Sequence, residues 1–265
     1  MTRLPVRKTY KLYIGGAFPR SESGRTYEAQ GQNVALASRK DARDAVVAAR
    51  AAQPRWAGLT AYNRGQVLYR IAEMMEARLE EFAALCAGRE EAERAIDRFV
   101  WYAGFADKFA QLLGAANPVS GPYFNFTLPE PTGVVALIAP EQPALLGLVS
   151  RLAPALVAGN SVVAVASEQA PLAAVELAEV LATSDLPAGA VNLLTGRRAE
   201  LAPWLASHMD VNALDLAGAD GLAVELERAA AENVKRVVRG SADSQSLYDI
   251  ADFVELKTVW HPIGQ

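Results

Sequence analysis

From residue 133 to residue 240 the chain repeats one pattern: a short apolar run, a turn, then a helical segment. The runs are GVVALIA (133–139), SVVAVA (161–166), AVNLLTG (190–196), VNALDLAG (211–218) and VKRVVRG (234–240). They are β-prone and mostly lack the polar alternation of a half-exposed strand, so they read as strands covered on both faces. Between them RLAPALVA (151–158), APLAAVELAEVLATS (170–184), a segment opening near Arg198, and GLAVELERAAAEN (221–233) carry helical spacing. Strands alternating with helices of this length build a parallel sheet with helices on both sides. Right-handed crossovers then wind it into a Rossmann-like, doubly wound α/β layer.

The flanking segments read differently. After a strand-like start, YKLYIGGAF (10–18), the spacing predicts helices through residues 37–56, 64–86 and 93–114. Ser38 and Asp41 stand in capping-box spacing, and Gly88 and Gly114 are natural stops. NPVSGPYFNFTLPEP (117–131) has Pro-Gly punctuation and an alternating Tyr123, Asn125, Thr127 face, the pattern of hairpin arms. GSADSQS (240–246) reads as a linker. In FVELKTVW (253–260), Phe253, Glu255, Lys257 and Val259 alternate with Val254, Leu256, Thr258 and Trp260, so it reads as a strand. With no helix to return it, that strand requires another sheet edge. The expected organisation is a coenzyme-binding-type domain over residues 1–240, hairpin included, and a linker with a terminal strand over 241–265.

In an open α/β sheet a ligand lies at the carboxyl ends of the strands. Here those ends are Pro140–Pro143, Ser167–Glu168, Thr195–Gly196 and Ala217–Gly221. Glu168 could accept ribose hydroxyls, with Gly196 and Gly218 shaping the neighbouring turns; the same residues also suit ordinary strand-to-helix turns. Cys86, the only cysteine, sits in a helical run with no basic neighbour to activate it. His208 and His261 match no metal-ligand spacing and read as surface or edge residues, so no metal is expected. The acidic pairs Glu80–Glu81 and Glu90–Glu91 read as solvated helix faces. A net charge of −4 without a basic cluster argues against nucleic acid. Every apolar stretch is too short to span a membrane, the start lacks a secretory apolar run, and a single cysteine suits a reducing compartment. A cytoplasmic protein is expected.

Taken together, LYIGGAF, SGRTYEA, AARAAQPRWAGLTAYNRGQVLYRIAEMMEAR, DRFVWYAGFADK, PYFNFTLPEPTGVVALIAP, RLAPALVAGNSVV, SEQAPL, DLPAGAVNLLTG and LERAAAENVKR resemble, in order, the aldehyde dehydrogenase superfamily. The resemblance implies a Rossmann-type coenzyme domain behind a helical N-terminal layer, and departures stand where the family does its chemistry. The family's oxyanion-holding Asn corresponds to Gln142, with Glu141 in place of a Trp. Its ribose-binding Lys corresponds to Val165, while the Glu is kept as Glu168. Its hydroxyl-rich turn becomes LAGADGLA, keeping Gly218. Its general-base segment aligns with Gly240–Ser244, where no base stands. FVELKTVWHPIG resembles the family's C-terminal oligomerisation strand, so the catalytic domain carrying the nucleophilic Cys is expected to be missing.

The resemblance therefore implies a catalytically incomplete copy, like the second copy in two-copy family members. No residue is expected to be catalytic and no cofactor is expected, NAD being the one candidate. The expected partner is a complete aldehyde dehydrogenase subunit or a second copy, met through Tyr123, Phe124, Phe126, Phe253, Leu256, Val259 and Trp260. The leading expectation is a non-catalytic pseudo-subunit. The alternatives are an NAD-binding regulatory module without turnover, and an NAD(P)-dependent aldehyde oxidoreductase completed by residues of a partner chain.

Overall fold

The computed structural model describes residues 7–264. The first six residues, part of the segment read above as having no leader, lie outside the described residues. In chain order the elements begin with β1 (Thr9–Tyr10), β2 (Thr26–Ala29), β3 (Gln32–Ala35), α1 (Arg39–Ala57), α2 (Ala61–Glu76), α3 (Leu79–Leu85), α4 (Arg89–Phe105) and α5 (Phe109–Leu113). Next come β4 (Ala115–Asn117), β5 (Tyr123–Pro131), β6 (Val134–Ile138), α6 (Ala144–Val157), β7 (Ser161–Val165), α7 (Leu172–Leu181), β8 (Val191–Leu194) and α8 (Arg198–Ser207). β9 (Ala213–Asp215), α9 (Ala223–Ala231), β10 (Arg236–Val238), α10 (Leu247–Ala251) and β11 (Val254–Pro262) follow.

The repeated unit produces the expected doubly wound sheet. Its five parallel strands are ordered β10-β9-β6-β7-β8. Alternate side chains feed two cores. Val135, Leu137, Val162, Ala164 and Leu193 face α6 and α7, with α2 and α4 packed outside α6. Val134, Ala136, Ile138, Val163, Val165 and Leu194 face α1, α8 and α9. This two-sided burial is why the strands show no polar alternation. The strand order reverses beside β6, so the switch point lies between the carboxyl ends of β6 and β9.

Ser38 does cap α1, through the reciprocal box with Asp41. A small sheet ordered β1-β3-β2 was not legible as such in the sequence. Its signal was present: Gln30 and Gly31 both take positive φ (49° and 69°), the two-residue turn that suits a right-twisted hairpin. Thr195 Oγ1 donates to Ala35 O (2.6 Å) and Ala37 N–H to Thr195 O (2.8 Å), tying this sheet to the end of β8.

The tail corrects one expectation and meets another. Residues 240–246 are anchored rather than loose: Arg98 bonds Ser244 O and pairs with Asp243, and Ser244 Oγ donates to Asp249 (2.7 Å). A helical turn, α10, capped reciprocally by Ser246 and Asp249, then precedes the strand. β11 finds its edge within the chain, pairing antiparallel with β5 from Val254↔Pro131 to Pro262↔Tyr123 in a sheet ordered β11-β5-β4. The tail thus packs against both the main body and the hairpin, and no free linker stands at residue 241.

Candidate functional site

Between the starts of α6 and α8 the ligand edge of the main sheet is tied together by its own side chains. Gly218 N–H donates to Ile138 O (2.8 Å), carrying the β6–β9 contact one step past the strand ends. A Cβ on Gly218 would lie 2.1 Å from Ala139 O, so only glycine fits the approach. Gly218 O in turn accepts from Arg198, whose side chain also pairs with Glu141. Arg198 is nearly buried, and burial lowers its pKa despite the opposing pull of Asp220. Glu141 further accepts Ser167 Oγ and the backbone N–H groups of Glu168 (3.3 Å) and Gln169 (3.1 Å).

Glu168 is at this edge, as the sequence suggests, and both its oxygens are engaged. One accepts the Arg198 backbone N–H at the start of α8, and the other meets Arg197 at 3.2 Å. Gly196 packs tightly beside it, a Cβ there lying 3.2 Å from Ala37 N and from Leu201 Cδ1. The structure brings Glu168, Gly196 and Gly218 to one edge, and the glycines answer to chain packing.

Glu91 overturns the reading of Glu90–Glu91 as a solvated face. It is buried, and its carboxylate accepts the N–H groups of Leu145 (2.8 Å) and Leu146 (3.0 Å) at the start of α6, and of Ala87 (2.7 Å). A helix N-terminus is a ready anion site because its first N–H groups are free and its dipole is positive there. On this edge the N-termini of α6 and α8 each already hold a carboxylate of the chain itself. The lone glutamate facing α6 became visible only once α4 was packed on α6.

The other candidates take structural places. Cys86 caps α3 half-buried and its thiol donates to Gly88 O (3.3 Å); burial, then the Glu91 charge, push its pKa up, away from a reactive thiolate. Gln142 is exposed, and His208 and His261 are half-buried and exposed respectively. No cluster able to hold a metal exists among the described residues, and none of their helices is long and apolar enough to cross a membrane.

A buried charge cluster escaped the sequence reading. Arg151, fully buried on α6, pairs with Asp215 of β9 (2.7 Å) and Asp249 of α10 (2.8 Å), and its guanidinium lies over the Phe253 ring (5.3 Å). Tyr102 OH donates to Asp249 (2.9 Å), and a Cβ on Gly240 would stand 2.0 Å from the guanidinium carbon. The Gly240–Ser244 run therefore leads the tail over Arg151. Burial pushes Asp215 up while Arg151 holds it down. A single charge within each of two apolar runs, LLGLVSRLAPALV and ALDLAG, was the available signal.

Of the expected interface residues, Tyr123, Phe124, Leu256, Val259 and Trp260 are exposed on the β11-β5-β4 sheet and Phe126 is half-exposed there. Phe253 is corrected: it is fully buried over Arg151 and offers nothing to a partner. Tyr123 and Trp260 meet edge-to-face (5.8 Å), Phe124 and Phe126 stack on the opposite side (5.3 Å), and Leu128 adds to that side.

A five-stranded parallel sheet of this order, with a helical layer and a side sheet, defines a Rossmann-type α/β protein. The aldehyde dehydrogenase family profile matches residues 25–252, and the chain belongs to that family. It is 36% identical over 247 residues to the mitochondrial aldehyde dehydrogenase family 2 member B4 of Arabidopsis thaliana, covering 86% of this chain and 45% of that one. It is 32% identical over 259 residues to cytosolic aldehyde dehydrogenase 1 of Elephantulus edwardii, covering 89% and 51%. Among solved structures, the NAD+ complex of the Bacillus cereus aldehyde dehydrogenase superposes with a TM-score of 0.80 at 27% identity, over 87% of this chain and 50% of that one. PnpE of Pseudomonas sp. WBC-3 superposes with 0.82 at 30% identity and the same coverage. The chain spans about half the length of the relatives it matches.

Proposed function

We propose that this chain acts as a non-catalytic subunit of the aldehyde dehydrogenase family, docking through its β11-β5-β4 sheet onto a complete aldehyde dehydrogenase. One observation carries the reading: the ligand edge is neutralised from within at the starts of α6 and α8. Glu91 and Glu168 occupy the N-termini of α6 and α8, Glu141 holds Arg198, and Arg198 ties down Gly218 O. A dinucleotide brings two phosphates that need free N–H groups or cations. Fixed carboxylates at the starts of α6 and α8 repel them, and each Glu168 oxygen already has a partner within the chain. The residues at the starts of α6 and α8 do not fit the phosphates of NAD, and no chemical step is assigned to it.

The thiol supports the same reading. Aldehyde oxidation through a covalent intermediate needs an activated nucleophile, and the Cys86 pKa moves away from activation. The small sheet, by contrast, leaves aromatic and aliphatic side chains in solvent on both faces.

Two measurements test this. Calorimetric titration of the purified chain with NAD, to millimolar ligand, gives no binding heat; saturable heat overturns the exclusion of coenzyme. Co-expression with a complete aldehyde dehydrogenase of the same host gives a joint peak in size exclusion, weakened by Trp260→Ala. A chain that elutes apart from every such enzyme overturns the docking role.

A further inference from the structure

β11 is an edge strand, and the structure determines which of its backbone groups are free. Thr132 N–H donates to Phe253 O (3.2 Å) and Ile263 N–H to Pro122 O (3.0 Å), at the two ends of the β11–β5 ladder. Bonded pairs alternate with unbonded ones in an antiparallel ladder. The odd-numbered residues of β11 therefore point their N–H and C=O at β5, and Leu256, Thr258 and Trp260 point theirs outward. The prolines agree with this parity. Pro129 and Pro131 sit opposite even-numbered residues, and Pro262 shares the outward parity, where its missing N–H costs no β5 bond.

We propose that the occupant of this edge in the free protein is a second copy of the same strand, paired antiparallel about a two-fold axis at Thr258. This deepens the docking reading above by naming what covers the same sheet when no dehydrogenase is bound. In this register the outward N–H of Leu256 reaches the C=O of Trp260 in the second copy, that of Trp260 reaches Leu256, and the two Thr258 residues exchange bonds. The two small sheets become one continuous sheet. On one face Leu256 packs against the indole of the second copy's Trp260. On the other, Glu255 stands opposite His261 and Lys257 opposite Val259.

The neighbouring registers are poorer. An axis at Lys257 sets two lysines directly opposite each other, which is destabilising, and brings the buried Val254 against Trp260. An axis at Val259 matches Leu256 to Pro262, which has no N–H to give, so a bond is lost on each side. The Thr258 axis bonds both the N–H and the C=O of Leu256, Thr258 and Trp260, sets Leu256 against Trp260, and opposes no like charges; Pro262 then falls opposite the buried Val254, at the end of the strand. The strand is long and carries few charges, and such an edge is a template for pairing.

Sedimentation velocity across a concentration series is expected to show a reversible monomer–dimer equilibrium. Thr258→Pro removes an outward N–H and one exposed hydroxyl contact with Thr127 (3.1 Å), leaving the β5 ladder intact. It is expected to weaken dimerisation at least tenfold at an unchanged unfolding midpoint, whereas Lys257→Pro, which removes a bond to β5, lowers that midpoint. A second measurement does not depend on the proline variant folding. Thr258→Cys in a Cys86→Ser background forms, on mild oxidation, a disulfide-linked dimer in high yield, because facing residues of a bonded antiparallel pair lie about 5.5 Å apart.

A wild-type chain that stays monomeric up to its solubility limit overturns the self-pairing. So does a dimer untouched by Thr258→Pro whose Thr258→Cys variant also fails to cross-link. The outcome is separable from the docking role. A monomer captured by a complete dehydrogenase sinks only the self-pairing, and a Thr258-centred dimer captured by none sinks only the docking.

Discussion

The two sheets of this protein dispose of their polar backbone in opposite ways. At the carboxyl edge of the five-stranded sheet, open N–H groups and a buried guanidinium are met from inside by Glu91, Glu141 and Glu168. On the three-stranded sheet, a nine-residue strand leaves outward N–H groups and large apolar side chains to solvent. An edge satisfied internally has little to offer a ligand, because any newcomer must displace bonds already made. An edge left open gains every bond a partner makes. On the proposed docking role, this contrast puts interaction at the small sheet and not at the position where the fold family is expected to hold a coenzyme.

The sharpest way to break the closed edge is Gly218→Ala. Its Cβ would meet backbone, Ala139 O at 2.1 Å, which cannot swing aside. Denaturant unfolding is expected to show a loss of about 3 kcal/mol; a loss well under 1 kcal/mol would mean the edge is not held shut by that approach. Glu91→Ala strips three backbone N–H groups of their acceptor and is expected to cost about 2 kcal/mol in the same assay.

A smaller effect comes from Tyr27, which lies near Glu168. Burial, then the Glu168 charge, push its pKa up to about 12, against a pull from Arg197. Below pH 10 the folded and unfolded states both keep this proton, and its contribution to stability is whole. Between pH 10 and about 12 the unfolded state loses the proton first, so stability falls as pH rises through that window. Unfolding midpoints measured across it should decline more steeply in the wild type than in Tyr27→Phe. At neutral pH the variant should be as stable or slightly more so, because the Tyr27 hydroxyl is buried without a hydrogen-bond partner in the protein.

The smallest effect belongs to the open sheet. Trp260→Ser, at a 59% exposed position, should leave unfolding within about 0.5 kcal/mol of the wild type while lowering association. A large stability loss there would mean that the open sheet is structural rather than a docking surface.

Much of the fold was legible because its cause is local. Valine-rich runs without polar alternation require burial on both faces, the helices between them carry their own spacing, and Ser38 and Asp41 cap α1 ahead of them. Part of the site was legible too. Glu168, Gly196 and Gly218 do gather at one edge, since strand ends in a parallel sheet share a side. Their occupation was not legible, because Glu168 finds its partners at Arg197 and Arg198 and Glu141 finds Ser167 and Arg198, across turns whose approach depends on packing. Phe253 misled for a similar reason. Alternation placed it in a strand with solvent-facing neighbours, and the Arg151 guanidinium drew it into the core.

What the residues by themselves determined is the layered architecture and the approximate place of every strand of the main sheet, since period and composition act over a few neighbours at a time. Tertiary structure decided which charges face one another: Glu91 on the start of α6, Asp249 on Arg151, and β11 on β5 with its outer edge free. A charge or an open N–H gains its meaning only from what stands within a few ångströms of it, and that distance is set by packing between segments far apart in the chain.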